Sequence, residues 1–530
     1  MRRVLFAALF LVAFAGCNSD ESSGPAPIEL WVGDNSRPYM PRPVEVAQLV
    51  KNDLEAVGFE VEIKPFEWGE YLKRTRNGEH PMCLLGWTTD NADPDNFLWQ
   101  LLDQDNAAPG SATNVSFFRN QECHDLLIQA QQTTDAHRRA DLYKKAQAII
   151  HREVPMVPLV FAKLAHAMRA DVVDFHQNPI GTVRLHTVRF EGKEGGTLVY
   201  ARGSESVNLD PIDAEDGESI KIIDNVYEGL VEFDLDGTAI RPALAKSWTI
   251  GDGGKLWTFD LVPGVRFHDG TICDAVAVAA NFQRIMAQRS KMPYGACYEM
   301  IESVAVEGPG RVVFRLEQPS AVFLANLAMH TASIASLAGW DGDTDVLDRK
   351  PVGTGAFRFE EWVPDTRLSI VRNDDYWDAG SRARLERIVF TVEKEPTARI
   401  ARLRDDQVQF ADDPHPKDFE TLKKDERIKL LVRDGMNFGY LAMNNDKAPF
   451  KDNPILRRAV AHAINKDRII SRAYSGFGQA AVHPLPPTIF LTDESGAPVE
   501  AYASETPAYP YDPDLARRLV QESGYLGGGG

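Results

Sequence analysis

Arg37 follows an apolar run, Ile28 to Val32, and Asp90 follows another, Met82 to Trp87. A guanidinium and a carboxylate therefore stand just past the ends of two predicted strands, where ligands gather in open α/β sheets. Buried charges must be paired, and arginine meets a carboxylate through two parallel bonds, so such a pair could hold the two ends of a zwitterion. Read alone, each is more simply a surface charge or a loop cap. Covalent chemistry finds less support. The chain has no G-x-S-x-G elbow, no H-E-x-x-H and no P-loop, and Gly476-Phe477-Gly478 lacks a third glycine at the required spacing. Carboxylates are plentiful, but abundance does not pick out an acid–base pair. Asp341, Asp343 and Asp345 start like a calcium loop, yet Val346 stands where the EF-hand turn needs glycine and Val352 where it needs glutamate.

The cysteines show no C-x-x-C spacing and no histidine in a zinc pattern. Cys83 lies in the apolar run Met82 to Leu85 and reads as a buried thiol. Cys273 with Cys297 is the expected disulfide if the chain is exported. No metal and no cofactor is expected.

Elements that alternate between strand and helix must position Arg37 and Asp90. Ile28 to Val32 reads as a strand. Val46, Leu49, Val50, Leu54 and Val57 share one helical face, and Gly58 stops that helix. Phe59, Val61 and Ile63 alternate as a second strand. Glu67 to Arg76 can form a helix ended by Asn77-Gly78, and Met82 to Trp87 is a third strand. This order implies parallel pairing with helices on the sheet faces. A further helix is expected over 135–152. Strands are expected at 196–202, 257–261, 311–316, 368–372 and 388–392, and helices at 455–473 and 513–522.

At 530 residues the chain is too long for one ordinary core, so at least two lobes are expected. Its formal charge of −19 argues against broad contact with nucleic acid or anionic lipid. Arg2 and Arg3 precede an apolar run from Val4 to Ala15, too short to span a bilayer and suited to an export signal. Ala15-Gly16-Cys17 resembles the end of a bacterial lipobox, which implies lipidation at Cys17, although Phe14 departs from the usual aliphatic residue. Asn18 to Pro27 then reads as a flexible tether. A periplasmic or cell-envelope location follows.

Several stretches together resemble the family-5 solute-binding proteins of bacterial ABC importers, and among them the dipeptide-binding branch. They include Gly195-Gly196-Thr197-Leu198-Val199-Tyr200, Tyr227-Glu228-Gly229-Leu230, Gly264 to Thr271, Pro351-Val352-Gly353-Thr354-Gly355, Asn373 to Trp377, Gly439-Tyr440-Leu441 and Ala463 to Lys466. Arg37-Pro38-Tyr39, Glu67 to Arg74, Gly86 to Asn91 and Asp93 to Phe97 resemble the dipeptide branch in particular. The resemblance implies a two-lobed α/β fold of the type II periplasmic-binding kind with an extra subdomain. It implies a non-enzymatic monomer that closes over a short peptide and delivers it to membrane permease subunits. Relatives with this fold bind nickel complexes, haem, glutathione or oligopeptides, so the fold leaves the ligand open.

By motif position the resemblance assigns Arg37 to the ligand carboxylate and Asp90 to its ammonium. Gly86, Trp87 and Thr88 accompany Asp90, with Trp87 and Tyr440 as possible walls of a side-chain pocket. Gly439, Tyr440, Leu441, Met443 and Asn444 are expected at a crossover between lobes, offering main-chain groups to an extended ligand as in strand addition. Ser204, Glu205 and Ser206 occupy a ligand-facing loop.

The family's C-terminal third stands here at the front, so the order reads as a circular permutation with its join near 190–195. The expected division is a signal over 1–17, a tether over 18–27, one lobe from 28–157 with 445–530, and the other from 158–444. The crossings are expected near 436–445 and 157–163.

Overall fold

The computed structural model describes residues 26–338, 340, 344–493, 497–505 and 507–526. The export signal, Cys17 and most of the tether lie outside the described residues, and so do three residues of the aspartate-rich loop at 341–343. No described helix is long and apolar enough to cross a membrane.

The first 90 residues fold as their periodicity predicts. β1 (Ile28–Gly33), β2 (Val61–Phe66) and β3 (Met82–Thr88) are joined by α1 (Pro43–Glu55) and α2 (Trp68–Arg76). β1 lies between β2 and β3 and pairs with both in parallel. Val46, Ala47, Val50 and Leu54 of α1 are buried against this sheet. Gly58 takes φ +105°, a conformation L side chains avoid, and turns the chain from α1 into β2. Glu67 caps α2 by accepting from the Gly69 and Glu70 N–H groups. α3 (Asp95–Leu102), α4 (Gln121–Gln132) and α5 (Ala136–Glu153) follow.

β4 (Met156–Arg169) is a single strand of 14 residues. Downstream come β5 (Thr197–Arg202), α6 (Gly217–Val226), β6 (Ala245–Gly251), β7 (Leu256–Leu261), α7 (Ala275–Gln288), β8 (Ile301–Val306) and β9 (Arg311–Leu316). They are followed by β10 (Phe357–Val363), β11 (Arg367–Arg372), β12 (Arg387–Val392), β13 (Phe410–Asp412), β14 (Ile428–Asp434) and β15 (Asn437–Met443). α8 (Pro454–Ala463), α9 (Lys466–Ala473), β16 (Gly478–Ala480) and α10 (Pro513–Glu522) close the chain.

The architecture is a two-lobed α/β fold built on one continuous 12-stranded sheet, in the order β10-β11-β12-β5-β13-β4-β15-β3-β1-β2, with β14 and β16 also on β4. β4 joins the two halves. Its first part pairs with β15 and β16, and its later part with β13 and β14. Two apolar clusters draw mainly on residues before 163 and after 435. Three others draw on the residues between, one of them around the separate four-stranded sheet β6-β7-β9-β8.

The motifs of the middle region converge on one half-buried knot. Thr354, Tyr376 and Trp377 all donate to the Glu228 carboxylate, at 2.6, 2.7 and 2.8 Å. A Cβ on Gly353 would lie 2.2 Å from the Val226 carbonyl oxygen, and one on Gly355 2.7 Å from that of Asn225, so only glycine fits. These motifs serve packing.

Three regions bear on chain order and on the thiols. Ala26 and Ile28 line one surface cleft together with Ser523, Gly524 and Tyr525, and the Tyr525 ring lies 5.1 Å from that of Phe59. Arg189–Phe190 pairs with Val172–Val173, and residues 191–194 are exposed. The expected Cys273–Cys297 disulfide is absent, because both thiols are free. Glu228 and Asp274 act on Cys273, whereas Asp90 and Asp95 act on Cys297, so the two face different surroundings. Cys83 is buried, as expected.

Candidate functional site

Asp90 sits two residues past the end of β3, in a loop held from several sides. The Thr89 N–H donates to the Met436 carbonyl, the Ala92 N–H to Thr89 Oγ1 and the Asp93 N–H to Asn91 Oδ1. Below the loop, Arg139 of α5 forms a buried ion pair with Asp93 at 2.9 Å and also donates to the Tyr143 hydroxyl. Asn96, in the first turn of α3, orients the site. Its Oδ1 accepts from the Asp90 N–H and from Trp87 Nε1, and its Nδ2 donates to Asp90 Oδ2.

The other carboxylate oxygen of Asp90 meets the opposite lobe. The Tyr294 hydroxyl donates to Asp90 Oδ1 at 3.2 Å. Burial pushes the Asp90 carboxyl up to about 7, against the lowering effect of the bonds from Asn96 and Tyr294. Beside it, Asn91 Nδ2 donates to Asn326 Oδ1 at 2.8 Å, and Asn326 Nδ2 donates to the Cys297 carbonyl. The Ala321 N–H donates to the Gln131 carbonyl. The two lobes therefore touch through a strip of hydrogen bonds that includes Asp90.

Arg37 lies in the turn after β1, where its backbone exchanges two hydrogen bonds with Met40. Its guanidinium stacks on Trp68, 3.6 Å from the ring centroid. Its Nε is buried with no partner. Burial pulls its pKa down, against the raising effect of Tyr39 and of Asp216 in the opposite lobe. Asp216 is occupied as the cap of α6. Arg37 and Asp90 are thus opposite charges on one lobe, each influenced by a group of the other.

The strand carrying Gly86, Trp87 and Thr88 has main-chain groups to offer. Pairing of β1 with β3 ends at Val32 with Leu84, so 86–88 have a strand only on the β15 side among the described residues. On the other side the Tyr39 ring packs onto Gly86, where a Cβ would come within 2.1 Å of it.

The crossover residues do not have the expected role. β15 is paired on both sides, with β3 and β4, so the main chain of Gly439, Tyr440, Leu441 and Met443 is consumed by the sheet and is not available for strand addition. Tyr440 is fully buried beside Phe438, a core residue rather than a pocket wall. Asn444 donates to the Gly78 and His80 carbonyls and so ties two loops. In the loop after β5, Ser204 is exposed. The Glu205 carboxylate is instead engaged by Trp362 Nε1 and the Asp365 N–H. Ser206 donates to the Glu218 carbonyl and accepts from Arg202. Neither Glu205 nor Ser206 is left facing a ligand. Sequence reasoning missed Tyr294, which lies 204 positions from Asp90 with no local pattern to flag it. It also missed Trp68, which sat in a quoted motif.

Two lobes of α/β structure meeting over a half-buried carboxylate and a half-buried guanidinium define a solute-binding protein of the periplasmic type. The chain belongs to the bacterial extracellular solute-binding proteins, family 5, whose model (Family 5 Middle) matches residues 20–109 and 239–530. It is 33% identical over 367 residues to heme-binding protein A of Haemophilus influenzae, covering 64% of this chain and 65% of that protein. It is 32% identical over 323 residues to the dipeptide-binding protein of Escherichia coli, covering 56% and 58%. Among solved structures, it is similar to the periplasmic binding protein DppA from Helicobacter pylori in complex with peptide STSA, at 31% identity and TM-score 0.53, covering 63% of this chain and 67% of that one. The matches to these two curated relatives thus span 58–65% of the relative's length. The matched relatives are solute-binding proteins, and no catalytic family is indicated.

Proposed function

We propose that the protein captures short peptides, dipeptides foremost, for an ABC importer and releases them unaltered to its permease. The observation that carries this reading is the Asp90 carboxylate, held by Asn96 and reached by Tyr294 from the opposite lobe. A ligand ammonium inserted there would replace the Tyr294 contact with a charge-assisted one and lose its own water only as the lobes meet. Arg37 supplies the complementary charge for a carboxylate, and the one-sided edge at 86–88 suits the peptide link between the two termini. On this reading the binding lobe is 28–157 with 445–530, the opposite lobe is 158–444, and the chain is exported with Cys17 as its lipid anchor.

The chain order is read as a circular permutation. Two facts support it: the residues that would be the new ends line one cleft, and colinear matching reaches only part of each of these curated relatives. The decisive test of function is calorimetry with a free dipeptide, its N-acetyl form and its C-amide, alongside haem and glutathione. Tight binding of the free dipeptide alone supports the reading. Equal affinity for blocked and free forms, or binding of haem only, overturns it.

A further inference from the structure

A second cavity lies away from the cleft, between the C-terminal end of α5, the start of β4, α8 and the 482–484 loop. It is walled by Val154, Val157, Pro158, Ala461 and Val482 and holds about 20 Å³ of free interior. That exceeds the roughly 10–15 Å³ a single water needs and limits any occupant to a few heavy atoms. Three basic side chains line it, His151, His483 and Lys466, and no carboxylate does among the described residues.

The polar groups here are unusual. His483 is 1% exposed, and its Nε2 has no partner. The Nε2 of His151 is also buried and unpartnered. A backbone carbonyl also acts on each ring, that of Ala503 on His483 and that of Pro507 on His151. With the proton on Nδ1, each neutral ring leaves its buried, unpartnered Nε2 as an acceptor. Lys466 donates to the Ala481 carbonyl at 2.6 Å and has further N–H groups to give. The two imidazoles lie 6.0 Å apart by ring centroid. The neighbouring titratable groups are Tyr509 stacked on His151, with His462, Arg458 and Glu153 around it, and Tyr502 against His483, with Glu500 beyond. Burial holds His483 down at about 4 and Lys466 at about 8, so near neutral pH the pocket combines neutral imidazoles with a mainly cationic amine.

A ligand that satisfies all three groups must give a proton to an imidazole nitrogen and accept from an ammonium, inside apolar walls. We infer that this cavity is a site for a short monocarboxylate of formate or acetate size, bound together with one proton. The carboxylate oxygens accept from Lys466, and the proton, drawn from solvent, sits on His483 Nε2 and is shared with the carboxylate. A divalent cation suits the site less, because Lys466 would face it.

The experiment is calorimetry of the full chain with formate, acetate and butyrate, at about pH 5.5, 6.5 and 7.5, in two buffers of unlike ionisation heat. Saturable binding of the two smaller acids is expected, weakening about tenfold per pH unit as pH rises, with uptake of about one proton. His483→Gln should remove the proton uptake and Lys466→Met should weaken binding, both with dipeptide binding in the cleft retained. If a variant does not fold, ring-nitrogen NMR of the unmodified protein decides: acetate should move His483 to the protonated pattern. No saturable heat at about pH 5.5, binding without pH dependence, or an unshifted His483 ring would each overturn the assignment.

Discussion

Replacing Asp90 by asparagine should make the protein more stable and, at the same time, unable to hold an ammonium group. The carboxyl titrates at 3.8 when exposed in the unfolded chain and at about 7 in the fold. The stability tied to its protonated form is fully present below 3.8 and is lost as pH rises through about 7. At about 1.4 kcal/mol per tenfold step, keeping the charged form buried at pH 8 costs the fold about 4 kcal/mol. Asp90 retains some surface exposure, so that figure is an upper bound. Asparagine keeps the shape and an acceptor for Tyr294 while removing the charge, at the loss of the bond from Asn96 Nδ2, which offsets about 1 kcal/mol of the gain. Chemical denaturation at pH 8 should therefore show Asp90→Asn more stable than the native chain by up to about 3 kcal/mol, a gain that should vanish near pH 4. Calorimetry on the same samples should show dipeptide affinity lost. An asparagine variant that is less stable at pH 8, or that differs from the native chain equally at both pH values, would refute the reasoning. It would mean that the charge is used by the fold and not reserved for a ligand.

Because an ammonium must meet the ionised carboxyl, dipeptide affinity should fall about tenfold per pH unit below about 7, measured by titration at constant ionic strength. Arg37→Ala should weaken dipeptide binding more than tenfold, with the C-amide peptide showing the same loss against the native protein. Asp93→Asn leaves Arg139 buried without its counter-charge and should cost about 3–5 kcal/mol of stability by urea unfolding. Rejoining the chain as residues 195–526 followed by 28–190 should preserve ligand specificity, with stability altered by only a few kcal/mol. A rejoined protein that binds while the present order does not would count against a working permutation.

Local structure was legible wherever one period dominated. The β1–α1–β2–α2–β3 unit, its parallel pairing and α10 follow from apolar spacing and from stop signals such as Gly58. The site was legible only in half. Arg37 and Asp90 were singled out by the family motifs they sit in, yet Tyr294 was not, because contacts between lobes leave no trace in local spacing. The residues at 439–443 misled for a related reason. Their motif marks a crossover, but whether a strand there is an edge or a centre depends on β3 and β4, which come from distant parts of the chain. The middle motifs carried the family resemblance, and the Glu228 knot explains them by packing.

β4 has a mechanical consequence. Its 14 residues run unbroken from one half of the sheet into the other, a span of about 46 Å at roughly 3.3 Å per residue. Any motion that parts the lobes has to twist this ribbon, since no slack linker exists along it to absorb the rotation. A hydrogen-bonded ribbon resists in proportion to its deflection, so the cleft carries its own restoring torque, like a leaf spring clamped at both ends. Substitutions along the β4–β13 and β4–β14 ladders would then reset the rest angle of the cleft.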